Sequence, residues 1–318
     1  MLVFWAFELS MFGSAFTVNR HIECIFFCLL SFGLMPGLVS GQEGSGLGIN
    51  NENVYASKTD EELSGFFLPN IPVPVMGFQQ IKKQDKKILV IDLDPQGNAT
   101  TGLGLSNTEQ SDQTIYGVLN GTMAVSSVIK KTNFQNLDLI TSNVDLSGLE
   151  VETAGDNDRA FILKAKLTAY LNDSKASYDY ILIDCPPSLS LLTVMALVSS
   201  NSLLVPLQTE FFALEGITQL VKTIDRIKEN LNPALSIRGI LLTMFDKRNK
   251  LSSEVDREAR NYFKDKVYQT VIQRNVRLSE APSHGMPCVI YDKNCVGSKS
   301  YFKLAEEFSK KNNIESAA

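Results

Sequence analysis

The chain has 318 residues, of which 44% are apolar and 20% are charged, so it is built like a folded, soluble protein of one large or two ordinary domains. Its five cysteines form no C-x-x-C pair and it has only two histidines, which argues against a structural zinc site or a disulfide framework and favours a reduced, cytosolic setting. The formal net charge of −5 by itself argues against a nucleic acid as partner.

The distribution of charge changes that interpretation. Residues 1–75 carry seven acidic and two basic side chains, whereas the remaining residues carry 28 of each. Within the remainder, Lys222–Arg277 holds 13 basic and seven acidic residues, a net charge of +6. A local excess of this kind indicates an anionic partner, although a solvated, charged helix face produces the same pattern.

The first 85 residues differ in character from the rest and divide into two segments. Residues 1–41 contain the apolar run Ile22–Val39, which follows Arg20 and precedes small residues, the layout of a secretory signal peptide. Pro36 interrupts this run and makes it a marginal membrane span. Residues 42–85 are polar, and three prolines within six residues exclude a regular helix, so a linker is predicted.

From residue 86 onward, strands alternate with helices. The predicted strands are Ile88–Leu93, Leu137–Ile140, Tyr180–Asp184, Ser202–Leu207, Arg238–Phe245 and Val267–Ile272. The predicted helices are Asp158–Leu171, Leu189–Val198, Ala213–Leu231, Ser252–Lys264 and Ser300–Asn312. This alternation predicts an α/β domain over residues 86–318, with a doubly wound, mostly parallel sheet and helices on both faces.

Acidic residues end two of the predicted strands. Asp92 and Asp94 lie in IDLDPQGN, and Asp184 lies in LIDCPPS. In open α/β sheets ligands bind at the carboxyl ends of the strands, where a carboxylate can hold a magnesium ion and a second can activate a water molecule. A turn or helix-capping role explains one such aspartate equally well. Two strand ends with these patterns favour the chemical role.

Six segments, in order, carry a resemblance to a known family. They are KILVIDLDPQGNATTGLGL, YDYILIDCPPSLSLLTVMAL, VPLQTEFFALEGITQL, GILLTMFDKR, VYQTVIQRNVRLSEAPSHGMP and the stretch that ends in GSKSY. Residues 86–307 thereby resemble the ParA/Soj family of chromosome- and plasmid-partitioning ATPases, which have a P-loop NTPase fold. The polar C-terminal tail lacks the amphipathic helix of related membrane-binding ATPases, so no stable membrane association is expected.

The resemblance implies a cytoplasmic, nucleoid-associated enzyme that binds ATP and Mg²⁺. Two subunits would form a homodimer around two nucleotides, bind DNA without sequence preference and hydrolyse ATP when a ParB-like partner stimulates them. Asp94 is similar to the family's water-activating carboxylate, and Asp92 supports the same loop. Asp184 resembles the acid that reaches magnesium through water.

The resemblance also implies binding residues for the nucleoside and for DNA. Glu210 matches the position that touches the ribose, while Met244 and the pair Arg274–Asn275 match the adenine rim. Gln273 stands where the family has proline. DNA contacts are expected from five basic residues, which are Lys247, Arg248, Lys250, Arg274 and Arg277.

The phosphate-binding loop of the family is missing from the sequence. Family members open with a strand and KGGxGKTT, whose amides and lysines cradle the phosphates. The glycines of Gly41–Asn51 are followed by no Lys-Ser or Lys-Thr, and Lys58 has no glycine before it. ATPase activity is therefore expected to be impaired. The apolar run Cys24–Leu34 is a candidate for the missing strand, although it carries no specific pattern.

Three explanations of the unusual N-terminal part remain open. In the first, the N-terminal part is an artefact that is joined to the body of an ATPase. In the second, the protein is a degenerate relative that binds DNA or acts as a scaffold without turnover. The third explanation is an exported protein that uses the signal-like segment. The last conflicts with a body suited to intracellular ATP and DNA and is therefore ranked third.

Overall fold

The structure is a computed structural model. It describes residues 23–28, 86–105, 113–173, 178–186, 188, 190–210 and 213–315, with the backbone alone for residues 23–28, 214–216, 219 and 312–315.

A seven-stranded sheet organises the described residues. Its strands are β1 (Glu23–Cys28), β2 (Ile88–Asp92), β3 (Ile129–Lys131), β4 (Leu137–Ile140), β5 (Tyr180–Cys185), β6 (Ser202–Gln208) and β7 (Ser236–Thr243). Their spatial order is β3-β4-β2-β5-β1-β6-β7. Only β3 runs antiparallel to its neighbour; all the other pairs in the described sheet are parallel.

Helices connect the strands. They are α1 (Asn98–Gly102), α2 (Ile115–Leu119), α3 (Val125–Val128), α4 (Leu149–Glu152), α5 (Ile162–Leu171), α6 (Leu191–Ser199), α7 (Ala213–Asn230), α8 (Lys250–Phe263), α9 (Val276–Glu280), α10 (Cys288–Tyr291) and α11 (Val296–Glu315). Short 3₁₀ turns include Val144–Gly148, Arg159–Phe161 and Ala281–His284.

Strand β1 occupies an interior position of the sheet, between β5 and β6. It pairs with β5 from Glu23 opposite Tyr180 to Cys28 opposite Cys185, and on its other side it pairs with the start of β6. Six residues of the N-terminal segment thus fill an interior strand position, for which the sequence offers only an apolar run without a specific pattern. The apolar run Cys24–Leu34 overlaps this position.

The buried strands divide their side chains between two hydrophobic cores. In β2, Leu89 and Ile91 face one core, while Ile88 and Val90 face the other. Helices α2, α5, α6 and α7 cover the first core, and α1, α9, α10 and α11 cover the second. Continuous apolar strands are buried on both faces in this way only when helices lie on both sides. The predicted doubly wound α/β fold is confirmed.

The predicted strand Val267–Ile272 is wrong as a regular strand. The segment runs beside β7, where the N–H of Tyr268 donates to the Ile240 carbonyl oxygen at 2.9 Å. The next two backbone N–H groups, of Gln269 and Thr270, instead donate to the carboxylate of Glu307 at 2.8 and 2.9 Å. A side chain of α11 therefore takes the donors that a ladder would need, which apolar periodicity does not reveal.

Among the described residues, no helix is both long enough and apolar enough to cross a membrane.

Candidate functional site

The carboxyl ends of the parallel strands meet along one edge of the sheet, and two buried aspartates lie there side by side. Asp92 ends β2 and is directly opposite Asp184 of β5. The N–H of Leu93 donates to the Asp184 carbonyl oxygen at 2.7 Å, which extends the pairing past the strand. The structure thus brings together the two acidic strand ends, at the edge where ligands of open α/β sheets bind.

Asp92 holds the loop that follows β2. Its Oδ2 accepts hydrogen bonds from the backbone N–H and the hydroxyl of Thr100 at 2.7 and 2.6 Å. Its Oδ1 accepts from the backbone N–H of Asp94 at 3.2 Å. Burial raises the pKa of Asp92 to about 7, against the opposing effect of the Thr100 hydrogen bonds. The geometry gives Asp92 the position of a loop-orienting carboxylate.

Asp94 lies at the start of a tight turn on the same edge. Its Oδ1 accepts from the backbone N–H of Gln96 at 3.0 Å, and its carbonyl oxygen accepts from Gly97 at 2.9 Å. Gly97 adopts φ 64°, a left-handed conformation that glycine takes without steric cost. The side chain of Asp94 is only 6% exposed. Burial raises its pKa above the ordinary value, so this carboxylate is a better proton acceptor than an exposed one.

Sequence reasoning missed two residues of this network. Thr100, in the first helical turn after the DPQG motif, joins the Asp92 loop to the neighbouring strand. Its hydroxyl oxygen accepts from the backbone N–H of Ser142, just past β4, at 3.1 Å. Both residues are fully buried. The motif NATT places a hydroxyl in the first turn of α1, but its partner across the sheet depends on the strand order, which no local pattern reveals.

The carboxylates fit one half of a magnesium–nucleotide site. Within the described residues, no group of three or more His, Cys, Asp or Glu could hold a metal ion by itself. Magnesium in nucleotide enzymes uses one or two carboxylates, water and phosphate oxygens rather than a cage of protein ligands. Asp184 is 5% exposed at the strand end and provides such a carboxylate beside Asp92.

By resemblance to the family, the half of the site that holds the phosphates is expected after the strand that precedes β2 in the chain, which here is β1. Cys28 ends β1 opposite Cys185, so the chain leaves β1 at the same edge of the sheet. The residues that follow lie outside those that the structure describes. In the sequence, no lysine or arginine occurs between Arg20 and Lys58, so this stretch carries no positive side chain for a phosphate group.

The residues predicted for the adenine rim meet at the end of β7. Met244 adopts φ 55°, a conformation that is strained for a residue with a side chain and that recurs at functional sites. It turns the chain so that Phe245 bridges to Gln273, and the N–H of Arg274 donates to the Phe245 carbonyl oxygen at 3.1 Å. Asn275 uses its side-chain oxygen locally to cap α9, accepting from the Arg277 N–H.

The ribose candidate lies one strand away. Glu210 is exposed just after β6, and Thr209 before it donates its N–H to the Thr243 carbonyl oxygen of β7 at 3.1 Å. The ends of β6 and β7 are therefore adjacent. Glu210 and Met244 both lie at this part of the edge.

All five basic residues predicted to contact DNA are exposed; they are Lys247, Arg248, Lys250, Arg274 and Arg277. Two of them already carry ion pairs. Arg248 donates from Nε and Nη2 to the two carboxylate oxygens of Asp246 at 3.1 and 2.9 Å. Arg277 pairs with Glu280 at 2.7 Å and with Asp292 at 3.7 Å. The hydrogen bond from Arg248 lowers the pKa of Asp246 to about 2.

Comparison with known proteins gives a consistent picture. The family model described as an AAA domain matches residues 75–237. Over 222 residues the chain is 49% identical to the chromosome partitioning protein ParA of Caulobacter vibrioides, covering 70% of this chain and 82% of that one. It is also 49% identical to the chromosome-partitioning ATPase Soj of Treponema pallidum, covering 70% and 85% of the two chains.

The fold is also similar to solved structures. One is the cobyrinic acid a,c-diamide synthase of Mycobacterium smegmatis, which was crystallised with an ATP analogue and magnesium. The two share 23% sequence identity with a TM-score of 0.67, over 90% of this chain and 93% of that one. At this identity the likeness concerns the fold alone.

Proposed function

Because the chain belongs to the ParA/Soj family of chromosome-partitioning ATPases, we propose that it is a partitioning ATPase whose hydrolytic carboxylate is Asp94. The observation that carries this proposal is the position of Asp94, which is nearly buried and lies at the ligand edge in a turn held by Asp92 and Thr100. A carboxylate that is oriented by its neighbours and has a raised pKa suits removal of a proton from water.

The other two aspartates have supporting roles. Asp92 orients the Asp94 loop through its hydrogen bonds to Thr100 and to the Asp94 backbone. Asp184, at the end of β5, would hold magnesium through water. When bound, ATP and Mg²⁺ supply the phosphoryl group and neutralise its charge. Because Asp92 and Asp184 are buried side by side, this edge of the sheet favours a cation.

The nucleoside lies along the ends of β6 and β7 in this proposal. Glu210 contacts the ribose, while Met244 and the adjoining pair Arg274–Asn275 form the adenine rim. The strained backbone of Met244 and the bridge from Phe245 to Gln273 support this arrangement, since both hold the rim segments in one place. Gln273 makes the bridge without the proline of the family.

The remaining roles concern macromolecules. We propose that the protein forms an ATP-dependent homodimer and binds DNA through Arg248, Arg274 and Arg277, with help from Lys247 and Lys250. The net charge of +6 over Lys222–Arg277 supports a non-specific, salt-sensitive contact with phosphates. A ParB-like protein then stimulates hydrolysis, and the protein acts in the cytoplasm on the nucleoid of a chromosome or plasmid.

We propose that nucleotide turnover by this chain is impaired. In this proposal the ATPase domain spans residues 86–318. Residues 1–41 are a signal-like or artefactual segment, and residues 42–85 are a linker. Strand β1 of the sheet comes from the first of these two segments. The absence of lysine and arginine between Arg20 and Lys58 supports weak phosphate binding. The same observation favours a second candidate, which is a DNA-binding relative without turnover.

A direct test compares the chain as it stands with a chimaera in which KGGxGKTT follows Cys28. We expect weak binding of a fluorescent ATP analogue and slow phosphate release by the first, and clear binding and turnover by the second. In the chimaera, Asp94→Ala should lower turnover by about 10²–10⁴-fold, because it removes a proton acceptor, while nucleotide binding remains. Asp246→Ala, which removes a partly exposed carboxylate that is not assigned to hydrolysis, serves as the control.

Two outcomes would decide against parts of this proposal. A chimaera that is folded by circular dichroism but binds no nucleotide would refute the ATPase assignment. Clear turnover by the unmodified chain, lost in Asp94→Ala, would refute both the impairment and the non-catalytic candidate.

A further inference from the structure

Two free cysteines lie next to each other in the C-terminal part of the domain. Cys288 begins α10 and Cys295 immediately precedes α11, and their sulfur atoms are 3.6 Å apart. Cys288 is fully buried, whereas Cys295 is partly exposed. Because a disulfide has a sulfur–sulfur distance of about 2.05 Å, the two atoms need to approach by only about 1.5 Å to form one.

The surroundings of the two sulfurs favour stepwise chemistry. The backbone N–H of Ser298, in the first turn of α11, donates to the Cys295 sulfur at 3.3 Å. This hydrogen bond holds the Cys295 sulfur at the start of α11, on the more exposed side of the pair. Burial raises the pKa of the Cys288 thiol to about 12, so this group stays protonated at neutral pH. Cys295 is therefore the sulfur that meets an oxidant first.

Metal binding does not explain the pair. Among the residues that the structure describes, no cluster of three or more His, Cys, Asp or Glu could hold a metal ion. The polar neighbour of both sulfurs is the Ser298 hydroxyl, which lies 3.3 Å from Cys295 and 3.4 Å from Cys288. The hydroxyl lies close to both sulfurs, which are themselves in contact, so the geometry is compatible with closure to a disulfide.

We propose that Cys288 and Cys295 are a redox modification site that closes to a disulfide by exchange with a small oxidised disulfide such as oxidised glutathione. The Cys295 thiolate attacks one glutathione sulfur, forms a mixed disulfide and releases one glutathione thiolate. Cys288 then loses its proton to solvent, attacks the Cys295 sulfur and releases the second glutathione. Two protein thiols are oxidised, and one oxidised glutathione is reduced to two molecules of glutathione.

The cysteine pair is linked by two contacts to α9, which carries Arg277. Asp292 accepts from the N–H of Cys295 at 3.2 Å through Oδ1, and its Oδ2 pairs with Arg277 Nε at 3.7 Å. On the same helix, Leu278 packs against Gly297 so closely that a Cβ there would lie 2.7 Å from its Cγ. Drawing Cys295 toward Cys288 therefore shifts both supports of α9. This consequence rests on the proposed function, since it assigns Arg277 to DNA.

The disulfide itself is testable without any activity measurement. Trypsin cleaves after Arg277, Lys293 and Lys299, so after complete digestion Cys288 and Cys295 fall in different peptides, which a disulfide would join. After incubation of the full chain with oxidised glutathione, mass spectrometry of an unreduced digest should show Leu278–Lys293 joined to Asn294–Lys299. Reduction before digestion should remove this species. Its absence, or joining of either peptide to Cys185 instead, would overturn the proposal.

Single variants test the order of the steps. Cys288→Ser should accumulate glutathione on Cys295, because no second thiol is present to displace it. Cys295→Ser should take up little on the buried Cys288. Equal labelling of both variants would contradict the order.

The link to DNA has its own measurement. Binding of a fluorescent random-sequence duplex should weaken roughly fivefold on oxidation, as expected when one charged phosphate contact is lost, and Cys295→Ser should show no change. Unchanged binding by the oxidised protein would overturn the link and leave the disulfide standing. If the reduced protein binds no DNA, the proposed function fails, while the peptide result still decides the redox site.

Discussion

Two acidic loops at the same edge of the sheet have opposite electrostatics. Asp92, the last residue of β2, is fully buried, and its hydrogen-bond donors in the structure are the neutral groups of Thr100 and the Asp94 backbone. Its pKa rises to about 7. Asp246, after β7, is partly exposed and accepts two hydrogen bonds from the Arg248 guanidinium. Its pKa falls to about 2.

The difference indicates what each loop can do. Hydrogen bonds from neutral donors orient Asp92 but do not offset the cost of burying its charge, so the site favours a proton or a cation. Asp246 is already neutralised, and Arg248 must exchange this partner for any phosphate that it binds. The Asp92 loop is therefore suited to bind a cation that accompanies a ligand. Asp246, in contrast, competes with a phosphate for the exposed Arg248 guanidinium.

The largest expected effect is on the pH dependence of stability. In the unfolded chain Asp92 has a pKa of about 3.9. Because its folded pKa is raised to about 7, its contribution to the free energy of unfolding is fully present below about pH 4 and is lost as the pH rises through about 7. The loss is at most about 4 kcal/mol. Urea unfolding of the wild type at about pH 5 and about pH 8 should reveal it.

The control for this effect is Asp92→Asn, which keeps the shape of the side chain but does not titrate. Its stability should change much less between the two pH values. Asp94→Asn separates the smaller contribution of the neighbouring carboxyl group, whose pKa is also raised by burial. An unchanged pH dependence in Asp92→Asn would show that other groups cause it.

The second effect compares the two loops by truncation. At about pH 5, where Asp92 is protonated in the folded state, Asp92→Ala leaves the donors of Thr100 and Asp94 without their acceptor and should cost about 3 kcal/mol. Asp246→Ala removes a largely solvated ion pair and should leave the unfolding midpoint unchanged. Denaturation curves of the two variants, measured side by side, check the contrast. Equal losses would mean that burial does not distinguish the loops.

The third effect tests how the chain just after α1 is joined to the segment 281–285, which follows α9. Gly104 has φ 79°, and a Cβ on it would lie 2.9 Å from the carbonyl oxygen of Gly285. Gly121 has φ 90°, but its Cβ would meet only the Lys166 Nζ at 3.9 Å. Gly104→Ala and Gly121→Ala share the backbone strain, so the difference between them reports the contact.

We expect Gly104→Ala to be less stable than Gly121→Ala by about 2 kcal/mol, since a backbone oxygen cannot move aside as a flexible side chain can. Thermal or urea unfolding measures both. Equal destabilisation would show that the two glycines matter for their φ angles alone, and that the segment 281–285 yields easily to the chain just after α1.

Most of the sheet was predictable from sequence because its strands are continuous apolar runs. Strands β2, β4, β5, β6 and β7 fall within two residues of their predicted bounds. Strand β1 was only a candidate, since an apolar run such as Cys24–Leu34 suits a strand, a signal segment or a membrane span equally well. The segment 267–272 failed as a strand because Glu307, distant in sequence, binds its donors.

The site divides in the same way. Asp92, Asp94 and Asp184 were recognisable because acidic residues end buried strands, a local pattern. That Asp92 lies opposite Asp184 depends on β2 and β5 being neighbours, and the role of Thr100 depends on β4 lying next to β2. These relations are set by tertiary packing. The raised pKa values of Asp92 and Asp94 follow from burial, which the sequence does not reveal either.

The smallest effects concern DNA and bear on the Asp246 loop. Arg248→Ala and Arg277→Ala should each reduce the slope of log affinity against log salt by about 1, because each removes one phosphate contact. Lys164→Ala, which removes an exposed lysine on α5 outside the basic segment, should leave the slope unchanged. Titrations of a random-sequence duplex at several salt concentrations measure this.

Asp246→Ala sharpens the same test, because its expected effect has the opposite sign. Arg248 holds its guanidinium on Asp246 through two hydrogen bonds, so a phosphate must displace that carboxylate before it can bind. Removal of the carboxylate should strengthen binding by roughly threefold at low salt, a difference that fades as salt screens the exposed charges. If Asp246→Ala weakens binding instead, the ion pair orients Arg248 toward DNA, and Asp246 is part of the contact rather than a competitor for it.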